Sequence, residues 1–124
     1  MSRALFAAIA VLAAPAIAEA QFFAAIADLP LAPGLSESAA GFGFGGDRGR
    51  LIMAEAEGDA APEAVRAFYL ATLPALGWSH SPEGEGMLVF LRGRERLTLS
   101  IGGEDGRTRL SARLAMLPAP MRPD

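Results

Sequence analysis

The sequence predicts a two-layer α+β domain in which one helix packs on an antiparallel sheet, in the order β-β-α-β-β-β. Residues 62–77 place their larger side chains at helical spacing, whereas the segments on either side alternate with a period of two. A period of 3.6 residues is typical of a helix with one buried face, and a period of two is typical of a half-buried strand. Turns rich in glycine or charged residues separate the alternating segments, as expected for antiparallel neighbours.

A β-hairpin is predicted before the helix. Residues 40–45 alternate glycine with alanine or phenylalanine, residues 46–49 have the composition of a turn, and residues 50–57 form the return strand. Glycine gives a strand no side chain to pack, so the sequence leaves the register of this hairpin open.

The beginning and the buried face of the helix are both marked in the sequence. Asp59 or Ala61 is the predicted N-cap, and Pro62 suits the first turn, where its missing N–H is not needed. The side chains predicted to face the core lie at positions i, i+3, i+4, i+7, i+8 and i+11, which is one stripe of a helix. This stripe consists of Val65, Phe68, Tyr69, Thr72, Leu73 and Leu76.

The end of the helix is predicted by a proline and a glycine. Pro74 removes one backbone hydrogen bond and is expected to kink or tighten the last turn. Gly77 suits the left-handed conformation that follows many helices, and Trp78 is then expected to fold back over Leu73.

Three strands are predicted after a polar loop at 79–86, over residues 87–91, 96–101 and 108–116. In the last two strands every second residue is apolar, which is typical of an antiparallel sheet with one solvated face. The residues predicted to face the core are Leu97, Leu99, Ile101, Leu110, Ala112 and Leu114.

The N-terminus has the pattern of a cleavable secretory signal peptide over residues 1–20. A short basic start precedes an apolar run over residues 4–14, and this run is shorter than the roughly 20 residues that span a bilayer. Ala18-Glu19-Ala20 supplies the small-x-small motif of signal peptidase, so cleavage is expected after Ala20, with residues 16–18 as a second site. An uncleaved N-terminal anchor is the alternative.

Three regions are predicted after cleavage: a Pro-rich arm over residues 21–38, the α+β domain over residues 39–116 and a Pro-rich tail over residues 117–124. The chain has no cysteine, so no disulfide framework is expected. Its formal net charge of −3 is spread along the chain, which argues against a nucleic-acid partner. No stable membrane insertion is expected once the signal peptide is removed.

No catalytic, cofactor or metal site is predicted. Residues 41–46 match G-x-G-x-x-G, but a dinucleotide fingerprint needs a helix directly after it, and here a turn and a strand follow. His80 is the only histidine, and with the carboxylates of its own loop it would bind a metal weakly. Glu55 and Glu57 share a strand face, which a solvated surface explains without acid catalysis. We therefore expect a protein that is not an enzyme.

The outer face of the last three strands is the candidate binding surface. If the last two strands pair with residue numbers that sum to about 209, Arg96 lies opposite Arg113 and Ser100 lies opposite Arg109. Opposed like charges are unfavourable unless an anion or an acidic partner lies between them. An ordinary solvated face is the alternative. The predicted interaction surface comprises Arg96, Thr98, Arg109, Ser111, Arg113, Val89 and Leu91.

The helix and its end carry the motif Val65-x-x-Phe68-Tyr69-x-x-x-Leu73-Pro74-x-x-Gly77-Trp78. In this motif the chain resembles a group of small uncharacterised exported bacterial proteins, mostly alphaproteobacterial. The later strands are similar as well, at Phe90-Leu91-Arg92 and in the alternating strand 97–101. The resemblance covers roughly residues 28–116. It implies export and a compact α+β domain, and it implies no activity.

The predicted function is therefore a periplasmic, non-enzymatic binding domain without a cofactor, whose partner is an unknown protein or anionic ligand of the cell envelope. The alternative is an accessory or structural subunit of an envelope complex. An unrecognised hydrolase is a more remote alternative.

Overall fold

The computed structural model describes residues 21–46 and 49–118. The predicted signal peptide, the turn residues Asp47 and Arg48, and the tail from residue 119 lie outside these ranges. The described part forms one antiparallel sheet in the strand order β1-β2-β6-β5-β4-β3. Its elements are β1 (Leu35–Gly46), β2 (Gly49–Gly58), α1 (Pro62–Thr72), a 3₁₀ turn (Leu73–Leu76), β3 (Ser79–Ser81), β4 (Leu88–Arg92), β5 (Glu95–Glu104) and β6 (Arg107–Met116).

The α+β class, with one helix packed on an antiparallel sheet, is confirmed, but the predicted element order is wrong. A further strand, β3, follows the helix, so the described order is β-β-α-β-β-β-β. The chain leaves the left-handed Gly77 in an extended direction, and Ser79 to Ser81 pair with β4 at the edge of the sheet. These residues were predicted as the start of a polar loop because three polar residues at an edge show no apolar alternation.

The first hairpin is confirmed, and β1 is longer than the predicted strand 40–45. It begins at Leu35, inside the region predicted as the arm, and it pairs with β2 with irregularities between Glu37 and Phe42. The two strands approach very closely at the open end of the hairpin. A Cβ at Gly58 would clash with the carbonyl oxygen of Gly34, so glycine is required there.

The helix ends as predicted. Gly77 adopts φ +96°, and its N–H donates to the carbonyl of Pro74, while the N–H of Trp78 donates to the carbonyl of Leu73 at 3.1 Å. These two bonds form a Schellman motif, and Trp78 is buried. Pro74 lies in a 3₁₀ turn, so the last turn is tightened.

Most of the predicted helical stripe packs on the sheet. Val65, Tyr69 and Leu73 are buried, and Phe68 is partly buried against the same core. Leu76 is exposed, because the 3₁₀ turn rotates it out of the stripe. The strand residues predicted to face the core are buried except for Ile101, which is partly buried.

The segment 21–34, here called the arm, covers the inner face of the sheet beside the helix. Four of its apolar residues belong to the buried core, namely Phe23, Ile26, Leu29 and Ala32. The carboxylate of Glu37 accepts hydrogen bonds from the N–H groups of Ala24 and Ala25, at 2.7 and 3.3 Å. The inner face of the sheet is thus closed by the helix and the arm together.

Arg92 joins the arm, the helix end and the sheet. Its guanidinium forms salt bridges with Asp28 at 3.0 Å and Glu95 at 2.9 Å, and it donates to the carbonyl of Leu76 at 3.2 Å. The same group lies 4.2 Å from the ring centre of Trp78, within the range of a cation–π interaction. The carboxylates of Glu95 and Asp28, with Glu95 first, raise the pKa of Arg92 above its usual value. Arg92 is therefore occupied by structural contacts.

Candidate functional site

The face of the sheet opposite the helix, here called the outer face, carries the residues predicted to bind a partner. Two rows of side chains cross it from β2 to β4, and a third crosses three of its strands. The first row is Leu51, Ala115, Arg96 and Leu91; the second is Met53, Arg113, Thr98 and Val89; the third is Glu55, Ser111 and Ser100. Most of these side chains are exposed or half-buried, so the outer face is accessible within the described part.

The predicted register of the last two strands is wrong by two residues. Paired residue numbers sum to 211, so Arg96 lies opposite Ala115 and Arg113 lies opposite Thr98. Ser100 lies opposite Ser111, and Arg109 lies opposite Gly102. A shift of two residues keeps every side chain on its face. Consequently Arg96 and Arg113 remain neighbours, but on the diagonal between the strands.

Val89 was predicted to be exposed on this face, and it is buried, with 4% of its surface accessible. The loop between β3 and β4 folds over it, since the Cγ2 of Val89 lies 3.4 Å from the position that a Cβ on Gly84 would take. Leu91 of the predicted surface is exposed at 42%, and Met87, just before β4, is exposed at 44%. Of the two predicted apolar residues, the outer face therefore exposes Leu91 and not Val89.

The end of the outer face at the β5–β6 turn forms a groove of about 420 Å³. Arg109 and Ser111 line it, together with Glu57 and residues of the turn. Arg109 contacts Glu57 at 3.8 Å, so its charge is partly balanced by a neighbouring carboxylate. Glu104 and Asp105 also line the groove. This end of the face has mixed charge and offers no site that favours an anion.

The opposite end of the outer face is basic. Arg96 and Arg113 are exposed, and neither forms a salt bridge with any residue in 21–46 or 49–118. Thr98 lies opposite Arg113 and two positions after Arg96, so it is a neighbour of both arginines on the same face. The structure thus brings together three of the predicted residues, Arg96, Thr98 and Arg113, with Leu91 beside Arg96.

Two residues of this basic end were missed by the sequence reasoning. The N–H of Leu117 donates to the carbonyl of Arg94 at 2.9 Å, which continues the β5–β6 pairing by one row. Both side chains are exposed. Arg94 lies between two predicted strands and Leu117 begins the predicted tail, so the sequence did not indicate that they are neighbours. With paired residue numbers that sum to 211, Arg94 and Leu117 are predicted neighbours. The predicted sum of 209 did not pair them.

The other motifs form no site within the described ranges. Residues 41–46 lie in β1, so no helix begins at their end. His80 lies at the sheet edge, with its ring tilted over Phe90 at 5.2 Å between ring centres. Glu55 lies opposite Ser111 on the solvated face. No group of three or more potential metal ligands occurs among the residues that the structure describes, and no helix there is long and apolar enough to cross a bilayer.

Comparison with known protein families identifies the domain. Residues 45–107, just over half of the chain, match the START domain-like family. The chain belongs to the START domain-like family. Membership of this family suggests a ligand-binding domain, in agreement with the predicted binding module. No curated protein and no solved structure matches the chain significantly.

The START domain-like match extends from the end of β1 to the first residue of β6. It contains α1 and the strands that follow it, with Arg96, Thr98 and Leu91. Ser111 and Arg113 lie on β6 outside the match, as does the arm over residues 21–34. The basic end therefore joins one strand inside the family match to one strand outside it.

Proposed function

We propose that this protein is an exported, non-enzymatic binding domain that holds an anionic partner on the basic end of its outer face. The observation that carries the proposal is the diagonal pair of Arg96 and Arg113. The two arginines lie on adjacent strands, are exposed, and form no salt bridge within the described part. The START domain-like family supports the binding role in general.

The chemistry of this pair favours an anion with two or more oxygens. Diagonal neighbours in an antiparallel pair lie about 7–8 Å apart, with their β-carbons somewhat closer, and two arginine side chains can bridge this separation around one ligand. A guanidinium binds carboxylate or phosphate through two parallel N–H donors. The hydroxyl of Thr98, a neighbour of both arginines on this face, can supply a further donor. An anion at this point would also relieve the repulsion between the two positive charges.

Export is supported by the signal-peptide pattern of residues 1–20 and by the resemblance to small exported proteins. Cleavage after Ala20 would give a chain that begins at Gln21, and cleavage at the second site would give one that begins at Glu19. The intact mass of the protein isolated from the periplasm is the measurement. Residues 4–18 still attached to protein extracted from the membrane would refute the periplasmic assignment.

The binding site can be tested by charge reversal. The wild type and the variant Arg96→Glu/Arg113→Glu, each with an affinity tag, are expressed in the native host. Each is purified from the cell envelope after mild crosslinking. The partner should no longer be recovered with the double variant, because both arginine donors are replaced with carboxylates that repel an anion. Recovery by the wild type should fall in high salt, since exposed charge contacts are screened within about 10 Å at 0.1 M salt.

The control for this experiment is Arg66→Glu/Arg107→Glu, which changes the net charge equally at two exposed arginines away from the basic end. It should retain the partner. Both double variants should unfold near the wild-type temperature, because surface substitutions usually change stability little. Undiminished recovery by Arg96→Glu/Arg113→Glu would show that the partner binds elsewhere.

A further inference from the structure

The corner of the outer face beside the β4–β5 turn combines exposed arginines with exposed leucines. Leu117 pairs with Arg94 in one row, and Leu91 pairs with Arg96 in the next. Leu117 is 55% exposed and Leu91 is 42% exposed, and they are among the few large apolar side chains of the described part that reach solvent. We name these four residues and Arg113, in the following row, the basic–apolar corner.

The residues of the basic–apolar corner alternate in type. Arg94 lies beside Leu117, Arg96 lies beside Leu91, and Arg113 lies beside the half-buried Met53. None of the three arginines forms a salt bridge within residues 21–46 and 49–118. Three carboxylates, Glu57, Glu104 and Asp105, line the groove at the other end, toward the β5–β6 turn. Glu55 lies between the two ends, in the row next to Arg113, and forms no salt bridge with it. The face is thus positive and partly apolar at one end and of mixed charge at the other.

We propose that the anionic partner of this domain is a lipid surface, which the basic–apolar corner contacts edge-on. This inference rests on the proposed function, because it uses the same arginines. Leucine side chains at a lipid interface lie at the boundary of the acyl chains, while arginines bind anionic head groups and extend toward them. The end of the face that carries Glu57, Glu104 and Asp105 then points away from the negative membrane, which fixes the orientation of the molecule.

A protein partner fits this corner less well. Protein interfaces concentrate their binding energy in a compact, desolvated centre of aromatic and apolar residues, ringed by polar ones. Here an arginine stands beside each apolar residue, so no such centre exists. A lipid surface needs none, because head groups and acyl chains are both available at every point. Contact of this kind is peripheral, which agrees with the expected absence of stable membrane insertion.

The test is co-sedimentation of the purified, naturally processed protein with vesicles. One set is phosphatidylcholine alone, and the other contains roughly 30 mol per cent phosphatidylglycerol. Binding should require the anionic lipid and should be lost at high salt. Each basic residue near an anionic surface should raise the partition coefficient about fivefold, so Arg94→Glu/Arg96→Glu should lower it at least about 25-fold.

The apolar half of the corner needs its own variant. Leu91→Ser/Leu117→Ser removes apolar surface without changing charge, and it should lower partitioning severalfold at constant salt. Two control variants should bind as the wild type does. Met87→Ser changes an exposed apolar residue away from the corner, and Arg66→Glu/Arg107→Glu changes two arginines away from it. Circular dichroism of each variant confirms that the fold is retained.

The outcomes separate this inference from the proposed function. Failure of the wild type to bind anionic vesicles, or full binding by Leu91→Ser/Leu117→Ser, overturns the lipid proposal. If vesicles do not bind but Arg96→Glu/Arg113→Glu still loses an acidic protein from the envelope, the lipid proposal fails and the anionic-partner function stands. If the charge-reversed variants change neither assay, both proposals fail.

Discussion

The hydroxyl of Tyr69 is the point at which the arm is attached to the helix. It donates to the carbonyl of Pro30 at 2.7 Å and accepts from the N–H of Ala32 at 3.1 Å, and all three residues are buried. Tyr69→Phe removes only this oxygen, so it opens almost no cavity. It leaves one buried carbonyl and one buried N–H without partners, each at a cost of about 1–3 kcal/mol. We expect the free energy of unfolding to fall by about 2–4 kcal/mol, which lowers the Tm by on the order of 10–20 °C.

The same hydroxyl should control stability at alkaline pH. Burial, partly opposed by the hydrogen bond from Ala32, raises the pKa of Tyr69 well above its ordinary value of 10. The folded protein therefore keeps its phenol proton at pH values where the unfolded chain loses it. The contribution to stability is complete below about pH 10 and is lost as the pH rises, at about 1.4 kcal/mol per pH unit. The chain has one tyrosine, no cysteine and no lysine, so no other side chain titrates in this range.

The assay is urea unfolding of the wild type and Tyr69→Phe between about pH 8 and 11.5. The wild type should lose stability above pH 10, whereas Tyr69→Phe should be less stable at pH 8 and nearly independent of pH above it. Val65→Ala is the control, since it removes buried apolar atoms of the same helix without a hydrogen bond. It should lower stability by roughly 2 kcal/mol and keep the alkaline slope.

Two results would refute this reasoning. If Tyr69→Phe loses less than about 0.5 kcal/mol, the hydroxyl does not hold the arm, since even one net hydrogen bond contributes that much. If the alkaline loss of stability persists in Tyr69→Phe, another group causes it. Tyrosinate absorbance that appears near pH 10 in the folded wild type would show directly that the phenol is not buried.

Two further predictions concern the helix end and the arm. Trp78→Ala should lower the free energy of unfolding by about 3 kcal/mol or more, while Trp78→Phe should cost clearly less, because Trp78 is buried in the Schellman contact; equal denaturation midpoints for the two variants would contradict this packing. Arg92→Gln should increase hydrogen exchange in the arm with a stability loss of only about 1 kcal/mol, because its salt bridges are partly exposed. Asp28→Asn is the matched control, because it removes only the contact between Arg92 and the arm, and it should increase hydrogen exchange in the arm only. Unchanged hydrogen exchange of the arm in both variants would show that Arg92 does not hold it.

The sequence was sufficient to predict the elements whose chemistry is local. Pro74, Gly77 and Trp78 determine the end of the helix through backbone conformation, and each of them lies as expected. The inward and outward faces of β5 and β6 follow directly from the period of two. These features depend on neighbours within a few residues, so one sequence contains the information.

Pairing between strands could not be predicted in the same way. The alternation in β5 and β6 is satisfied equally by sums of 209 and 211, because a two-residue shift leaves every face unchanged. The turn at Asp105 and Gly106, both with positive φ, decides between them, since it closes a two-residue loop between Glu104 and Arg107. Aspartate and glycine both tolerate positive φ, so the Asp-Gly pair indicates this turn and with it the register. The alternation of apolar and polar residues does not contain that information.

The packing of the arm could not be predicted from periodicity either. Phe23, Ile26, Leu29 and Ala32 are buried at spacings of three, but the chain around them is irregular, and hydrogen bonds to Tyr69 and Glu37 attach it to the rest of the domain. Such bonds join residues more than ten positions apart. A pattern of three-residue spacing in a Pro-rich segment indicates burial without indicating which surface buries it.

The closure of the inner face also bears on where a START domain-like protein of this form holds its ligand. With the helix and the arm in place, a ligand on the inner face would have to displace the arm, and Tyr69 resists that displacement. Tyr69→Phe weakens the attachment, so it should increase the affinity of an inner-face ligand. A partner on the outer face gains nothing from release of the arm, because the basic–apolar corner lies on the other side of the sheet. Unchanged anionic-vesicle binding by Tyr69→Phe, at a temperature where it remains folded, therefore supports the outer face. Tighter binding by this variant would assign the ligand to the space beneath the arm.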